Sequence, residues 1–178
     1  MSLLSLITTN LSMMINGIKY AKRIGVNLEP DVKLLGRVNW GTEPWLIYVG
    51  TNTMLSKNVT FWNHDGGVHV VRRLNSKYRN AIKFGFIRIG KNCFIGANST
   101  ILLNVSIGDN CIIGANSLVT KDIPTGEVWG GIPAKRICSI NEYGDKIINM
   151  LGEYDYNLND DNKKEESIKI AELFEKNK

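Results

Sequence analysis

A repeat of six residues runs from Ile89 to Pro124 and constrains the fold more than any other feature of the sequence. Aliphatic residues occupy every sixth position, as Ile89, Ile95, Ile101, Ile107, Ile113 and Val119. A period of six matches neither an α-helix of 3.6 residues per turn nor the two-residue alternation of a half-buried strand. It fits a chain that coils as short flat strands joined by tight corners, with the aliphatic column inside and parallel pairing between coils. The sequence therefore predicts a mainly β protein, a parallel β-helix.

Three further columns of the repeat are predicted, two to form its corners and one to complete its interior. Glycine follows the aliphatic residue at four places, and Asn or Asp comes three places after it, as Asn92, Asn98, Asn104, Asn110, Asn116 and Asp122. Asn, Asp and Gly tolerate left-handed backbone angles, so both columns suit corners. The residue four places after the aliphatic one is predicted to point inward, where limited space explains Cys93, Ser99, Val105, Cys111, Ser117 and Ile123.

The phase of the repeat extends upstream and reveals an insertion. Val49, Leu55 and Phe61 obey it, and Leu28 and Leu34 mark an earlier, less regular coil. Phe61 and Ile89 are 28 residues apart, which is not a multiple of six, so an external loop is predicted over about 66–86. We expect an amphipathic N-terminal helix over 1–23, the β-helix over 24–138 and a helical or partly disordered tail over 139–178.

Net charge and cysteine content limit the cellular compartment and the classes of binding partner that the sequence predicts. The formal net charge of +5, from 22 basic and 17 acidic residues, suits an anionic small ligand. No dense basic block with interleaved aromatics is present, which argues against nucleic acid as a partner. Three cysteines without a CxxC pair argue against a disulfide framework or a zinc cluster and favour a reducing, cytoplasmic environment. No apolar stretch is long enough to predict a transmembrane helix.

The run IRIGKNCFIGANSTILLNVSIGDNCIIGANSLVTKDIP, followed by WGGIPAKRI, resembles the hexapeptide-repeat O-acetyltransferases, among them those that acetylate maltose, galactosides, capsule and lipopolysaccharide. The segment GTEPWLIYVGTNTMLSKNVTFWNHDGGV resembles the capsule-type members. The resemblance covers roughly residues 24–138. It implies a left-handed parallel β-helix with three flats per coil, acetyl-CoA as acyl donor without a metal, and a homotrimer whose active sites lie between subunits.

His64 is the predicted general base. It lies three places after Phe61, at the corner position held by Asn52 and Asn58 in earlier flats, and should project outward. Histidine suits proton abstraction from a sugar hydroxyl because its pKa lies near physiological pH. Asp65 either orients this imidazole or only shapes the turn before Gly66, and the sequence leaves both open. His69 is interpreted as a structural residue of the loop.

The resemblance also implies residues for acetyl-CoA and for the acceptor. The cofactor contacts map to Ala97, whose backbone N–H would stabilise the oxyanion, and to Ala115, Thr120, Lys121, Lys135 and Arg136. Asn39 and Glu43 match the region that holds the acceptor, where the spacing differs from that of the sugar-acetylating relatives. Trp129 is expected either to cover the cofactor or to cap the last coil. Cys93 and Cys111 are interpreted as core fillers.

Two functions remain open at this point. The first is acetyl-CoA-dependent O-acetylation of a saccharide hydroxyl, and the alternative is N-acetylation of an amino-sugar nucleotide on the same scaffold. A serine acetyltransferase is disfavoured, because roughly 25 residues before the coil cannot supply the helical domain of those enzymes. A γ-type carbonic anhydrase needs three histidine ligands, and the chain has two histidines.

Overall fold

The computed structural model describes residues 16–152, 154 and 161–177. It forms two compact units, one ending at Cys138 and one beginning at Ser139. Most of the predicted N-terminal helix lies in residues 1–15, outside the described residues, and residues 153, 155–160 and 178 of the predicted tail lie outside them as well. The described part opens with helix α1 (Gly17–Arg23), whose buried Ala21 joins the core of the first unit.

Three sheets of short strands build the first unit. In chain order the strands are β1 (Asn27–Leu28), β2 (Lys33–Leu34), β3 (Val38–Asn39), β4 (Ile47–Val49), β5 (Met54–Leu55), β6 (Val59–Trp62), β7 (Ile87–Ile89), β8 (Phe94–Ile95), β9 (Thr100–Leu102), β10 (Val105–Ile107), β11 (Ile112–Ile113), β12 (Leu118–Val119), β13 (Glu127–Gly130) and β14 (Lys135–Ser139). Sheet A contains β1, β4, β7 and β10; sheet C contains β3, β6, β9 and β12; sheet B contains β2, β5, β8, β11, β13 and β14.

The strand register confirms the predicted repeat. Ile89 pairs with Ile107, Ile95 with Ile113, and Ile101 with Val119, always in parallel. Each of these pairs is 18 residues apart, so three flats complete one coil. The chain passes through sheets A, B and C in turn, and we name the corners between them the A–B, B–C and C–A edges. The predicted parallel β-helix is therefore confirmed.

Two insertions interrupt this register, and both lie at the C–A edge. Val49, Leu55 and Phe61 pair with Ile89, Ile95 and Ile101, an offset of 40 residues instead of 18. The surplus is the predicted external segment, which we call the excursion (63–86); it contains helix α2 (Val68–Leu74) and a 3-10 turn (Ser76–Tyr78). The first and second coils are offset by 21 residues, and the three extra residues enlarge the turn over 40–46.

The corners of the repeat are left-handed at the asparagine column and not at the glycine column. Asn52, Asn58, Asn92, Asn98, Asn104, Asn110 and Asn116 all have φ between +54° and +60°. The prediction was wrong for Asp122 and for the glycine column, none of which has a positive φ. The glycines are needed for a different reason: a Cβ on Gly96 would lie 2.5 Å from the backbone N of Ala115 in the next coil. Glycine at this column therefore permits the close approach of successive coils.

The small inward-pointing side chains also donate hydrogen bonds to backbone carbonyl groups. Thr53 Oγ1 donates to the Gly90 carbonyl at 2.8 Å, and Ser99 Oγ donates to the Gly114 carbonyl at 3.0 Å. The thiols of Cys93 and Cys111 lie 3.1 Å from the carbonyls of Gly108 and Pro124. A hydrogen bond with Cys111, together with burial, raises the pKa of the Cys93 thiol. Both cysteines are buried, as expected of core fillers.

The second unit consists of helices α3 (Ile140–Leu151) and α4 (Lys163–Lys176). Helix α3 begins with a capping box, in which Ser139 Oγ accepts from the Glu142 amide and the Glu142 carboxylate accepts from the Ser139 amide. Among the described residues no helix is long and apolar enough to cross a membrane.

Candidate active site

His64 lies at the C–A edge, directly after β6 and at the base of the excursion. Its backbone bridges Phe84 in an antiparallel manner, and the Gly85 amide donates to the Asn63 carbonyl at 2.9 Å. Its φ is not left-handed, unlike that of Asn52 and Asn58. The side chain retains 31% exposure. The imidazole thus stands at an open corner, held by backbone hydrogen bonds on both sides.

One ring nitrogen of His64 contacts two residues of the enlarged turn. Nδ1 lies 3.1 Å from Glu43 Oε2 and 3.0 Å from Thr42 Oγ1. The Thr42 hydroxyl donates to the same Glu43 oxygen at 2.6 Å, so its proton is already engaged. The carboxylate can only accept, and therefore Nδ1 carries the proton of the neutral ring. This tautomer leaves the lone pair on Nε2, the nitrogen that can act as a base.

The turn that carries Glu43 is fixed by buried contacts. The ring of Trp40 is buried and stacks on Phe61 with centroids 5.3 Å apart. Asn63 is fully buried, and its Nδ2 donates to the Glu43 carbonyl at 2.6 Å. Gly41 has a φ of +68°, and a Cβ there would lie 2.9 Å from Asn63 Oδ1. Glu43 and His64 are therefore tied through the neighbouring Asn63, and the local sequence around His64 alone gives no sign of this link.

Asp65 has partners other than the imidazole. Its Oδ2 pairs with Lys83 Nζ at 2.9 Å, and its Oδ1 accepts from the Gly67 amide at 2.8 Å. The structure thus places Glu43, not Asp65, against Nδ1 of His64. Of the two roles predicted for Asp65, these contacts match the one in which it shapes the turn before Gly66. They also link that turn to Lys83, in the segment by which the excursion returns to the coil.

The Lys83 hydrogen bond, followed by that of Gly67, lowers the pKa of Asp65 below 3.8. A group whose pKa is depressed by folding stabilises the folded state above the unfolded pKa, and this contribution is lost as the pH falls through the folded pKa. We expect the side-chain carboxyl ¹³C resonance of Asp65 to titrate with a midpoint below pH 3.8. In Lys83→Gln the midpoint of this titration should rise towards pH 3.8. An unchanged midpoint in the variant would show that the ion pair is absent in solution.

The cofactor residues predicted at Ala97 and Ala115 lie one above the other on the B–C edge. The Asn116 amide donates to the Ala97 carbonyl at 2.8 Å, and Ala115 is exposed. The Ala97 amide has no acceptor among the described residues. Lys135 is exposed and begins β14, which the short turn 131–134 joins to the adjacent β13. A turn of this length joins antiparallel strands, so Lys135 lies at the B–C edge as well.

The remaining residues predicted to contact the cofactor lie together at the end of the coil. Lys121 Nζ lies 5.2 Å from the ring centroid of Trp129, and Thr120 is exposed beside it. Trp129 is buried and donates to Glu127, which agrees with its reading as a cap of the last coil. Arg136 Nε pairs with Glu127 at 2.9 Å, so part of its hydrogen-bonding capacity is used within the protein.

The predicted acceptor residues have separate environments. Asn39 Oδ1 accepts from the Gly41 amide at 3.1 Å, which helps to shape the enlarged turn. The Glu43 carboxylate contacts the His64 ring and is not a solvent-exposed group without a protein partner. Trp45 and Trp62 are more than 40% exposed, and the Trp62 ring stands edge-on to the imidazole at 6.4 Å. His69 is exposed on α2, as expected of a residue of the loop.

Comparisons with known proteins agree with this architecture. A family model described as the hexapeptide repeat of succinyl-transferase matches residues 86–121. Protein CapG of Staphylococcus aureus is 43% identical over 159 residues, which cover 88% of each chain. The putative acetyltransferase YvoF of Bacillus subtilis (strain 168) is 38% identical over 104 residues, covering 58% of this chain and 54% of YvoF.

Solved structures show the same fold at lower identity. A maltose O-acetyltransferase from Clostridium difficile 630 is 24% identical, with a TM-score of 0.53 over 68% of this chain and 73% of that one. A galactoside acetyltransferase in complex with coenzyme A is also 24% identical, with a TM-score of 0.52 over 80% of this chain and 74% of that one. Given the repeat, the register and the extent of the match to its relatives, the chain belongs to the hexapeptide-repeat acetyltransferases.

Proposed function

We propose that the protein is a left-handed β-helix acetyltransferase that transfers the acetyl group of acetyl-CoA directly to a saccharide hydroxyl. The observation that carries this proposal is the contact between His64 Nδ1 and Glu43 Oε2, because it leaves Nε2 as the proton acceptor. Nε2 removes the hydroxyl proton while the acceptor oxygen attacks the thioester carbonyl. The tetrahedral intermediate then collapses, and coenzyme A leaves as the thiol once it has regained that proton.

Glu43 stabilises the charge that this proton transfer creates. When Nε2 takes the proton, the ring becomes an imidazolium with a carboxylate 3.1 Å from Nδ1. A hydrogen bond between charged partners is stronger than one between neutral groups, so Glu43 favours the charged ring over the neutral one. The role first given to Glu43, binding of the acceptor, is thus replaced in this proposal by orientation of the base.

The donor fits the B–C edge and the end of the coil. Exposed lysines at positions 121 and 135 suit the phosphates of coenzyme A, and the exposed Ala115 leaves room for its pantetheine arm. The Ala97 amide is available as an oxyanion donor. Transfer also requires that thioester and base meet.

A second copy of the chain can bring them together. His64 occupies the C–A edge, whereas Ala97 and Ala115 occupy the B–C edge. Because sheet C separates these two edges of one coil, the site is complete when the C–A edge of one subunit faces the B–C edge of its neighbour. This geometry supports the homotrimer that the family resemblance implies, with each active site between subunits.

The direct test is an acceptor screen with acetyl-CoA, in which products are detected by a mass increase of one acetyl group. Acetylated saccharide hydroxyls would support the proposal. Products acetylated only on the amine of an amino-sugar nucleotide would favour the alternative function, and a protein that neither binds acetyl-CoA nor transfers its acetyl group would overturn both.

Glu43→Gln is expected to lower kcat by about tenfold to a hundredfold, since a hydrogen bond to a charged group contributes roughly 1.5–3 kcal/mol. The amide is nearly the same size and can still contact the ring, so KM for acetyl-CoA should not change. Asp65→Asn is the matched control, because Asp65 pairs with Lys83 and not with the imidazole. Equal losses in the two variants would contradict the assignment of Glu43.

A further inference from the structure

An arginine on the outer face of sheet A has no partner in the mechanism above. Arg88 lies in β7, two residues after Phe86, the last residue of the excursion. Its guanidinium carbon stands 4.3 Å from the ring centroid of Phe86 and 5.6 Å from that of Tyr48. The two rings are themselves 6.0 Å apart at an angle of 57°. The guanidinium is thus held against two exposed aromatic rings.

Arg88 also lines an open cavity of about 710 Å³ on this face. The other charged residues that line it are already engaged. Glu29 accepts hydrogen bonds from the Thr51 amide and hydroxyl, and Lys91 lies 3.6 Å from Asp109. By contrast, no carboxylate of the described residues pairs with Arg88. The lining as a whole is formally neutral, with two cations and two carboxylates, and among the described residues Arg88 is its cation without a carboxylate partner.

The cavity is connected to the proposed base along the chain. Phe84 bridges His64, and Phe84, Phe86 and Arg88 alternate along the segment that leads into β7. Four residues span at most about 14 Å, so the Cα atoms of Phe84 and Arg88 are no further apart than that. All three side chains are exposed. A short oligosaccharide that presents a hydroxyl to His64 is long enough to reach this cavity.

From this arrangement we propose that Arg88, with Tyr48 and Phe86, forms an acceptor subsite for the anionic group of an acidic saccharide. A guanidinium held beside aromatic rings still has N–H groups to offer to a ligand, and these match a carboxylate or a phosphate bidentately. The aromatic faces offer apolar surface to the C–H face of a sugar ring. The inference rests on the proposed acetyl transfer to a saccharide and names the chemical class of its acceptor.

The test measures binding without acetyl-CoA, so that it stands apart from the test of catalysis. Titration calorimetry would use oligosaccharides of galacturonate, mannuronate and glucuronate, their neutral methyl esters, and UDP-N-acetylglucosamine. The uronates test a carboxylate as the bound anion, and the nucleotide sugar tests a phosphate. We expect at least one anionic ligand to bind, and its binding to weaken by about tenfold to a hundredfold when Arg88 is replaced by Gln.

Two variants separate the subsite from general charge effects. Arg88→Lys keeps the charge but loses the planar fork, so it should recover only part of the affinity. Lys33→Gln removes an exposed positive charge from sheet B and should leave binding unchanged. If the native protein binds a uronate more tightly than its methyl ester, the Arg88→Gln variant should bind the two with equal affinity.

Several outcomes would overturn the subsite. Binding that is equal in the native protein and in Arg88→Gln would remove Arg88 from the acceptor site, and so would failure of every anionic ligand to bind. A rise in KM for acetyl-CoA in Arg88→Gln would assign the charge to the donor instead. A change of oligomeric state in sedimentation would show that Arg88 serves a subunit contact.

Discussion

Replacement of His64 by Ala is expected to lower kcat for acetyl transfer by about 10²–10⁴-fold, the usual contribution of a positioned general base. The loss follows from the removal of Nε2, because Nδ1 is committed to Glu43 and Thr42. Binding of acetyl-CoA should survive, since the residues proposed for the donor lie on another edge of the coil. Steady-state kinetics, with calorimetry for acetyl-CoA, would measure both effects.

His69→Ala is the matched control for this experiment. His69 is exposed on α2 of the excursion, and its removal should change kcat by less than about twofold. A fully active His64→Ala protein would refute direct base catalysis by this residue. A large loss in His69→Ala with an unaffected His64→Ala would move the base into the excursion.

Gly96→Ala is expected to lower the free energy of unfolding by about 1–3 kcal/mol, the usual cost of overpacking a close-packed interior. The added Cβ would lie 2.5 Å from the backbone N of Ala115 and 2.7 Å from the Ile113 carbonyl oxygen. Both obstacles are backbone atoms of the next coil, which cannot rotate away as a side chain could. Urea denaturation, followed by circular dichroism, would give the change.

Gly114→Ala provides a control from the same column of the repeat. The nearest atom to a Cβ at Gly114 is the Trp129 carbonyl oxygen at 3.6 Å, an ordinary contact distance. Neither glycine has a positive φ, so backbone strain does not distinguish them. We expect Gly114→Ala to be neutral or to stabilise by up to about 1 kcal/mol through the unfolded state. Equal destabilisation by both substitutions would show that the close approach of coils is not the cause.

The register of the coil could be predicted from the sequence because the repeat is a local pattern. Six residues fix one flat, and the family resemblance implies three flats per coil, from which the pairing of Ile89 with Ile107 follows. The excursion could be predicted for the same reason, since an offset that is not a multiple of six must leave the coil. The role of the glycines could not, because the distance between coils depends on tertiary packing and not on local backbone preference.

The environment of His64 was only partly accessible to sequence analysis. The phase of the repeat places His64 at a corner, but nothing in the repeat indicates Glu43 as the partner of the imidazole. Asp65 is adjacent in the chain, yet its carboxylate pairs with Lys83, in the segment by which the excursion returns to the coil. Glu43 comes from an insertion that breaks the repeat, so no periodicity relates it to His64. For Arg88 the sequence contains one indication of its position, because Arg88 alternates with Phe84 and Phe86 and therefore shares a face with them.

Under the proposed function, the antiparallel bridge between His64 and Phe84 couples the choice of acceptor to the rate of the reaction. The excursion can change length or composition without shifting the strand register, because it leaves and rejoins the coil at one edge. The residue at its point of departure is also the proposed base, so a remodelled excursion bears directly on the backbone of His64. Attempts to redirect specificity by exchanging this segment should therefore retain residues 63–65 and 83–85, and vary the chain between them.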